Sequence, residues 1–195
     1  MAVKLGLLET AKYGFSVHLR LVEQDLKEKR AAAAALARVQ KWCALRDRTA
    51  YETHVKLREI ASTVEALSAP GQKENWVEEC AAALEREGYI DDTRCAESYT
   101  RTHLEHKSWG PLKIKAGLAS RGVSGAVADR AIAEVPEAQW QDAVDRLAQR
   151  RASEVGDRRD RVIRWLLQRG FPQRMVWTSL DSLSLDNLDE ASQDS

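Results

Sequence analysis

Three groups of residues in this chain have the types and spacing to do chemistry. Asp91 and Asp92 are adjacent carboxylates, the raw material of a metal site or an acid–base step. Adjacent residues on a helix point about 100° apart. No third ligand is near in sequence, so a helix cap and a turn contact account for the pair better. His103, Glu105 and His106 have loose metal-ligand spacing. Without an HExxH pattern or a cysteine partner they read as surface side chains. The third group is basic. Arg158, Arg161, Arg164 and Gln168 recur at intervals of 3, 3 and 4 and share one polar helix face. Lys113 and Arg121 occupy the positions of Arg161 and Arg169 in an internal repeat described below, and Lys115 lies beside Lys113. Such a stripe pairs with acidic protein groups or with phosphates. The plainer reading is a solvated face, partly neutralised by Asp157 and Asp160. No glycine-rich phosphate loop and no recognisable nucleophile setting occurs. The expectation is a binding protein, not an enzyme, with no cofactor and no metal.

These residues must be held by helices. The chain has 195 residues, 44% hydrophobic and 31% charged, with 4 Pro and 10 Gly to make turns. Ala, Leu, Arg and Glu dominate, all good helix formers. The charge is zero in sum and uneven along the chain. Residues 101–174 hold 15 Lys and Arg against 9 Asp and Glu, whereas residues 175–195 hold 5 acidic residues and no Lys or Arg. No segment approaches a membrane span, and no secretory leader pattern opens the sequence. Cys43, Cys80 and Cys95 are odd in number and form no CxxC pair. They read as reduced, mostly buried thiols of a cytoplasmic protein.

Along the chain, Tyr13, Phe15, Val17, Leu19 and Leu21 alternate with period 2. That pattern favours a short strand or irregular entry before a helix near Val22. Clearer helices follow. One runs through Ala31–Ala37 to Leu45, and a Thr49-to-Glu52 capping box opens another with Val55, Leu57 and Ile60. After a loop around Pro70-Gly71, a helix with Val77, Cys80, Ala81 and Leu84 stops at Gly88. Asp91 or Asp92 caps the next helix, Pro111 starts one carrying Ile114 and Leu118, and Ser124 caps one with Val127, Ala131 and Ile132 inward. Trp140, Val144, Leu147 and Val155 follow a helical stripe. Gly156 closes that helix and Asp157 caps the next, whose core face is Val162, Ile163, Leu166 and Leu167. Pro172 opens a last helix through Val176 and Leu180, and the acidic, serine-rich tail from Ser182 reads as disordered.

A shift of 48 residues superposes two stretches of this pattern. Ile114 meets Val162, Leu118 meets Leu166, Arg121-Gly122 meets Arg169-Gly170, and Ile132 meets Leu180. The shared unit is an amphipathic helix, an Arg-Gly stop, a short turn and a second amphipathic helix, preceded in each case by another. A first, looser unit places Leu57 where Leu118 stands and Ala61 where the later glycines stand. A three-helix unit buries its apolar face poorly alone, so stacking is expected. The expected architecture is all-α, an elongated curved array of tandem three-helix repeats. It divides into an N-terminal extension (1–30), repeat 1 (31–90), repeat 2 (91–135), repeat 3 (136–182) and a tail (183–195).

Three stretches together resemble the RecX family of bacterial recombination regulators: residues 43–57 (CALRDRTAYETHVKL), residues 88–99 (GYIDDTRCAESY) with Trp109-Gly-Pro-Leu-Lys-Ile114 and Arg121-Gly-Val123, and residues 161–171 (RVIRWLLQRGF). The resemblance covers about residues 40–182. It implies three tandem three-helix repeats, no catalytic centre, and binding to the RecA recombinase, chiefly as its filament on DNA. The implied effect is restraint of strand exchange, ATP hydrolysis and co-protease activity in DNA repair, with DNA contact in some members. It marks Gly88, Asp91, Asp92, Gly110, Gly122 and Gly170 as signature positions. Lys113, Lys115, Arg121, Arg158, Arg161, Arg164 and Arg169 are the candidate contacts to RecA or DNA phosphate. Cys95 departs from the family, which usually has Phe there, and the first repeat lacks its turn glycine. The expected species is a monomer. The rival reading is a helical nucleic-acid-binding module acting independently of RecA on single- or double-stranded DNA, against which the neutral net charge counts. A helical-repeat adaptor for another protein is a third reading.

Overall fold

The computed structural model describes the backbone of residues 2–67, 71–155 and 159–193, and side chains within 23–65, 67, 71–152 and 159–183. Its elements are helical throughout: α1 (Ala2–Cys43), α2 (Ala50–Ser62), a 3-10 turn (Glu65–Leu67), α3 (Gln72–Arg86), α4 (Asp92–Lys107), α5 (Pro111–Ser120), α6 (Gly125–Ala133), α7 (Glu137–Val155), α8 (Arg159–Gln168) and α9 (Gln173–Gln193). No helix among the described residues is long and apolar enough to cross a membrane.

Both ends of the chain differ from the sequence expectation. The alternating segment Tyr13–Leu21 lies inside the uninterrupted α1, not in a strand. No proline precedes Pro70, and Leu19, Val22 and Leu26 already carry a helical spacing that overrides the period-2 alternation. At the other end the backbone of α9 continues to Gln193, where a disordered tail was expected. Neither Gly nor Pro follows Pro172, so nothing in the sequence stops the helix.

The chain divides into two compact units. The first comprises Met1–Arg46 and Glu52–Ile90. Val39, Leu57, Val77 and Leu84 are fully buried in it, and Cys43 and Cys80 are buried with slight exposure. Burial, with Glu79 adding to it, pushes the Cys80 thiol up to about 11, so it stays protonated and inert. Val55 on α2 is 47% exposed, whereas Leu57 and Ile60 are buried.

The second unit comprises Asp47–Tyr51 and Asp91–Ser195 and has one continuous core. Ile114, Leu118, Val144, Val162, Leu166, Phe171 and Val176 are its most deeply buried residues. The stripes of α5 and α8 therefore meet in the same apolar interior, as their matched spacing requires. Two inward assignments need correction. Leu167 is 41% exposed and Ile163 only partly buried, because α8 shows the core a narrow stripe led by Val162 and Leu166. In α6 the buried side chains are Ala128 and Ala131, with Val127 and Ile132 packed at the edge. Cys95 is buried in α4. Residues Gly156 and Asp157, assigned above to a helix stop and a cap, lie outside the described residues.

The helix signals in the second unit act as their chemistry dictates. Asp91 caps α4, its carboxylate accepting from the Arg94 amide at 2.9 Å. Asp92 turns to a different task and accepts from the Ala50 amide at 2.8 Å, fixing the first turn of α2. Ser124 caps α6 and Pro111 occupies the first turn of α5.

Candidate partner-binding face

The Arg-Gly stops share one hydrogen-bond pattern, to which the second adds a bond from the Arg169 amide to the Trp165 carbonyl. After α5 the Arg121 amide donates to Leu118, Gly122 to Ala119 and Val123 to Leu118; after α8 the Arg169 amide donates to Leu166, Gly170 to Leu167 and Phe171 to Leu166. This is the hydrogen-bond pattern of a helix ended by a left-handed residue. Gly122 has φ 77° and Gly170 φ 85°, a region that side-chain-bearing residues avoid. Both glycines also serve close packing. A Cβ on Gly122 would overlap the side chain of Tyr51, and one on Gly170 would overlap the main chain and Cβ of Lys113. At the second stop the approach is of backbone to backbone. The Gly110 amide donates to the Arg169 carbonyl at 2.7 Å, the Leu112 amide to the Gly170 carbonyl at 3.0 Å, and a Cβ on Gly110 would collide with Gly170 itself. At the first stop the corresponding carbonyl, that of Arg121, accepts instead from the Thr49 hydroxyl at 2.7 Å.

Around these stops the second unit collects cations on aromatic rings. Tyr99 and His103 stack with centroids 3.7 Å apart, and the His103 ring leans on Trp109 at 4.7 Å. The Arg121 guanidinium lies over Tyr99 at 5.1 Å, while Lys107 and Lys113 place their ammonium groups 5.2 and 4.7 Å from the Trp109 centroid. Arg169 lies 4.5 Å over Trp165 and donates through Nη1 to the Lys107 carbonyl at 2.6 Å, which ties the two aromatic groups together. Arg151 sits over the same Trp165 ring at 5.6 Å. A ring face attracts a cation and holds it in place.

The electrostatics mark this face as crowded with positive charge. Burial first, then Arg150 nearby, pushes the Arg169 guanidinium below its ordinary value. His103 is lowered by burial, and by Lys107 and Arg121, against the opposing hydrogen bond of Nδ1 to the Tyr99 carbonyl at 2.8 Å. Its neutral form is therefore favoured. Burial raises Tyr99, with Arg121 acting the other way.

The structure sorts the basic residues singled out in the sequence. Lys113, Arg121 and Arg169 belong to the aromatic–cationic face. Lys115 is committed to an ion pair with Asp129. Arg161 and Arg164 are exposed on α8, with Arg164 Nε donating to the Asp160 carbonyl at 3.4 Å. Arg158 lies outside the described residues. Sequence reasoning missed Lys107, Arg151 and Trp165 as members, and noted Trp109 only within a stretch that resembles the family. The available signal was the placing of Trp and Lys or Arg beside each helix stop. Among the described residues no group of three His, Cys, Asp or Glu could hold a metal, which leaves His103 to the aromatic stack.

Amphipathic helices on one core, ended by matched Arg-Gly stops, define an all-α helical-repeat protein, and comparison with known proteins narrows it. The model of the second three-helix domain of RecX matches residues 91–132. The regulatory protein RecX of Halorhodospira halophila is 32% identical over 123 residues, which cover 61% of this chain and 73% of that protein. That of Pseudomonas putida is 30% identical over 121 residues, 60% of this chain and 76% of the relative. The crystal structure of RecX from Lactobacillus salivarius shares the fold, with a TM-score of 0.64 at 22% identity, covering 80% of this chain and 99% of that one. The chain belongs to the RecX family of regulatory proteins. It spans about half the length of the RecX proteins of Lactococcus lactis, one of which is 28% identical over 125 residues, 46% of its length.

Proposed function

We propose that this chain binds RecA, chiefly as the RecA–DNA filament, and modulates its recombinase, ATPase and co-protease activities without catalysing a reaction itself. Membership of the RecX family supports the regulatory role. The observation that carries the binding reading is the aromatic–cationic face: Lys107, Lys113, Arg121 and Arg169 are held over rings in a unit whose helix stops are rigid. A preorganised cationic face suits an anionic polymer or an acidic protein surface and costs little ordering entropy on binding.

RecA ATPase on single-stranded DNA, titrated with this protein and using RecA from the same organism, tests the proposal. The expected outcome is loss of activity at sub-stoichiometric protein. Unchanged ATPase, together with tight DNA binding by the chain alone, would favour the independent nucleic-acid module.

A further inference from the structure

The cations of the second unit are arranged as a repeated motif rather than a point. Trp109 carries Lys107 and Lys113, and Trp165 carries Arg151 and Arg169. The Arg169–Lys107 hydrogen bond links one indole group to the next. A single carboxylate of a protein partner would satisfy one such group. A polymer with an anion on every monomer satisfies both, and the phosphate backbone of nucleic acid offers evenly repeated charge of that kind. His103 stands at one end of this line with its Nδ1 engaged by the Tyr99 carbonyl, so its Nε2 is the atom left to gain a proton.

We propose that His103 takes up a proton when this face meets the phosphate backbone of nucleic acid, so that the grip on nucleic acid tightens as pH falls. The inference rests on the assignment of this face as the partner-binding surface.

The groups that act on the imidazole are Tyr99 and Lys107 on its own helix, the Trp109 ring beside it, and Arg121 at the C-terminal turn of α5. In the free protein Lys107 and Arg121 oppose its protonation together with burial. Phosphates seated among Lys107, Lys113 and Arg121 neutralise that opposing field and add negative charge beside the ring. Both changes favour the imidazolium. By linkage, whatever favours the proton when ligand is bound makes the proton favour the ligand equally. The free protein has the opposite trend. Its His103 is held below the ordinary value of 6.5, so the unfolded chain takes the proton first. The fold therefore loses stability as pH drops through that value, and ligand relieves the loss.

The test uses the full chain and a labelled oligothymidylate, with binding followed by fluorescence anisotropy from about pH 8 to about pH 6 at fixed ionic strength; a single linked proton limits the gain to about tenfold per pH unit. We expect affinity to rise by about three- to tenfold over this range. His103→Gln should flatten the rise, and His106→Gln should keep it. Calorimetry of the unsubstituted protein in buffers of different ionisation heat should show fractional proton uptake near neutral pH, a readout that does not depend on a variant folding. An unchanged pH slope in a folded His103→Gln variant, or no proton uptake, would overturn the linkage. Equal competition by an acidic peptide of matched charge would overturn the nucleic-acid assignment in favour of a protein surface. RecA ATPase inhibition at constant neutral pH is read separately, so failure of the proton linkage leaves that result standing or falling by itself.

Discussion

The two Arg-Gly stops of the second unit share one hydrogen-bond pattern but meet two different neighbours. At Gly122 the neighbour is the side chain of Tyr51, and the preceding carbonyl is met by the Thr49 hydroxyl. At Gly170 the neighbour is the main chain of Gly110–Lys113, and the preceding carbonyl is met by a backbone amide. The arginines diverge in the same way. Arg121 covers Tyr99 and reaches the Asp47 carbonyl at 3.4 Å, which ties it to the 47–51 segment. Arg169 covers Trp165 and reaches the Lys107 carbonyl. A shared local motif is thus set by chain chemistry alone, while what it holds is set by the partner surface. The Tyr51 atom that meets Gly122 is its Cβ, which the backbone fixes, so neither neighbour can move aside without a shift of main chain.

That difference can be broken in three ways. The largest effect comes from a charge in the shared core. Leu118→Asp and Leu166→Asp each bury an unpaired carboxylate among fully buried apolar residues, at about 4 kcal/mol or more. Since both sit in one core cluster, either variant should abolish the unit's cooperative urea transition as a whole. Two separable transitions would mean that the repeats fold independently, and the comparison would then be of two domains. A middle-sized effect comes from the glycines. Gly170→Ala and Gly122→Ala both suffer the left-handed φ, roughly 1 kcal/mol. Both should cost about 2 kcal/mol more by clash, Gly170→Ala against the main chain and Cβ of Lys113 and Gly122→Ala against the Tyr51 Cβ, which the backbone fixes and no rotamer removes. A urea midpoint shift no larger than the left-handed φ alone explains, at either glycine, would mean that its neighbour gives way. The smallest effect is that of Arg121→Lys against Arg169→Lys, each expected to cost about 0.5–1 kcal/mol of stability through loss of the stacked planar group. Thermal melts read this. A near-zero cost at Arg169 would indicate that its guanidinium is kept for the partner rather than for the fold.

Much of this architecture was legible because its signals are local. The stripes of Ile114–Leu118 and Val162–Leu166, the Asp91 and Ser124 caps, and the Arg-Gly stops all depend on residues within a turn of one another. They read directly because capping and amphipathic spacing need no knowledge of the fold. The N-terminal segment misled because a period-2 run and a helical spacing overlapped between Tyr13 and Leu26, and only the absence of proline favoured one helix. The candidate face was half legible. Lys113, Arg121 and Arg169 emerged from repeat correspondence, but their rings did not. Arg169 finds Lys107 across 62 residues of chain, a pairing no window of sequence displays. Lys115 shows the converse, a basic residue in the right segment whose charge the fold spends on Asp129.

The contact of Gly110 with Gly170 carries one further consequence. Because two residues without side chains meet there through amides and carbonyls, the step from one repeat to the next is measured in main-chain atoms. Evolution can therefore repaint the outer surface of either repeat, exchanging lysines for arginines or for acids, without changing the spacing at which those colours are displayed. The protein keeps its ruler fixed while its markings vary.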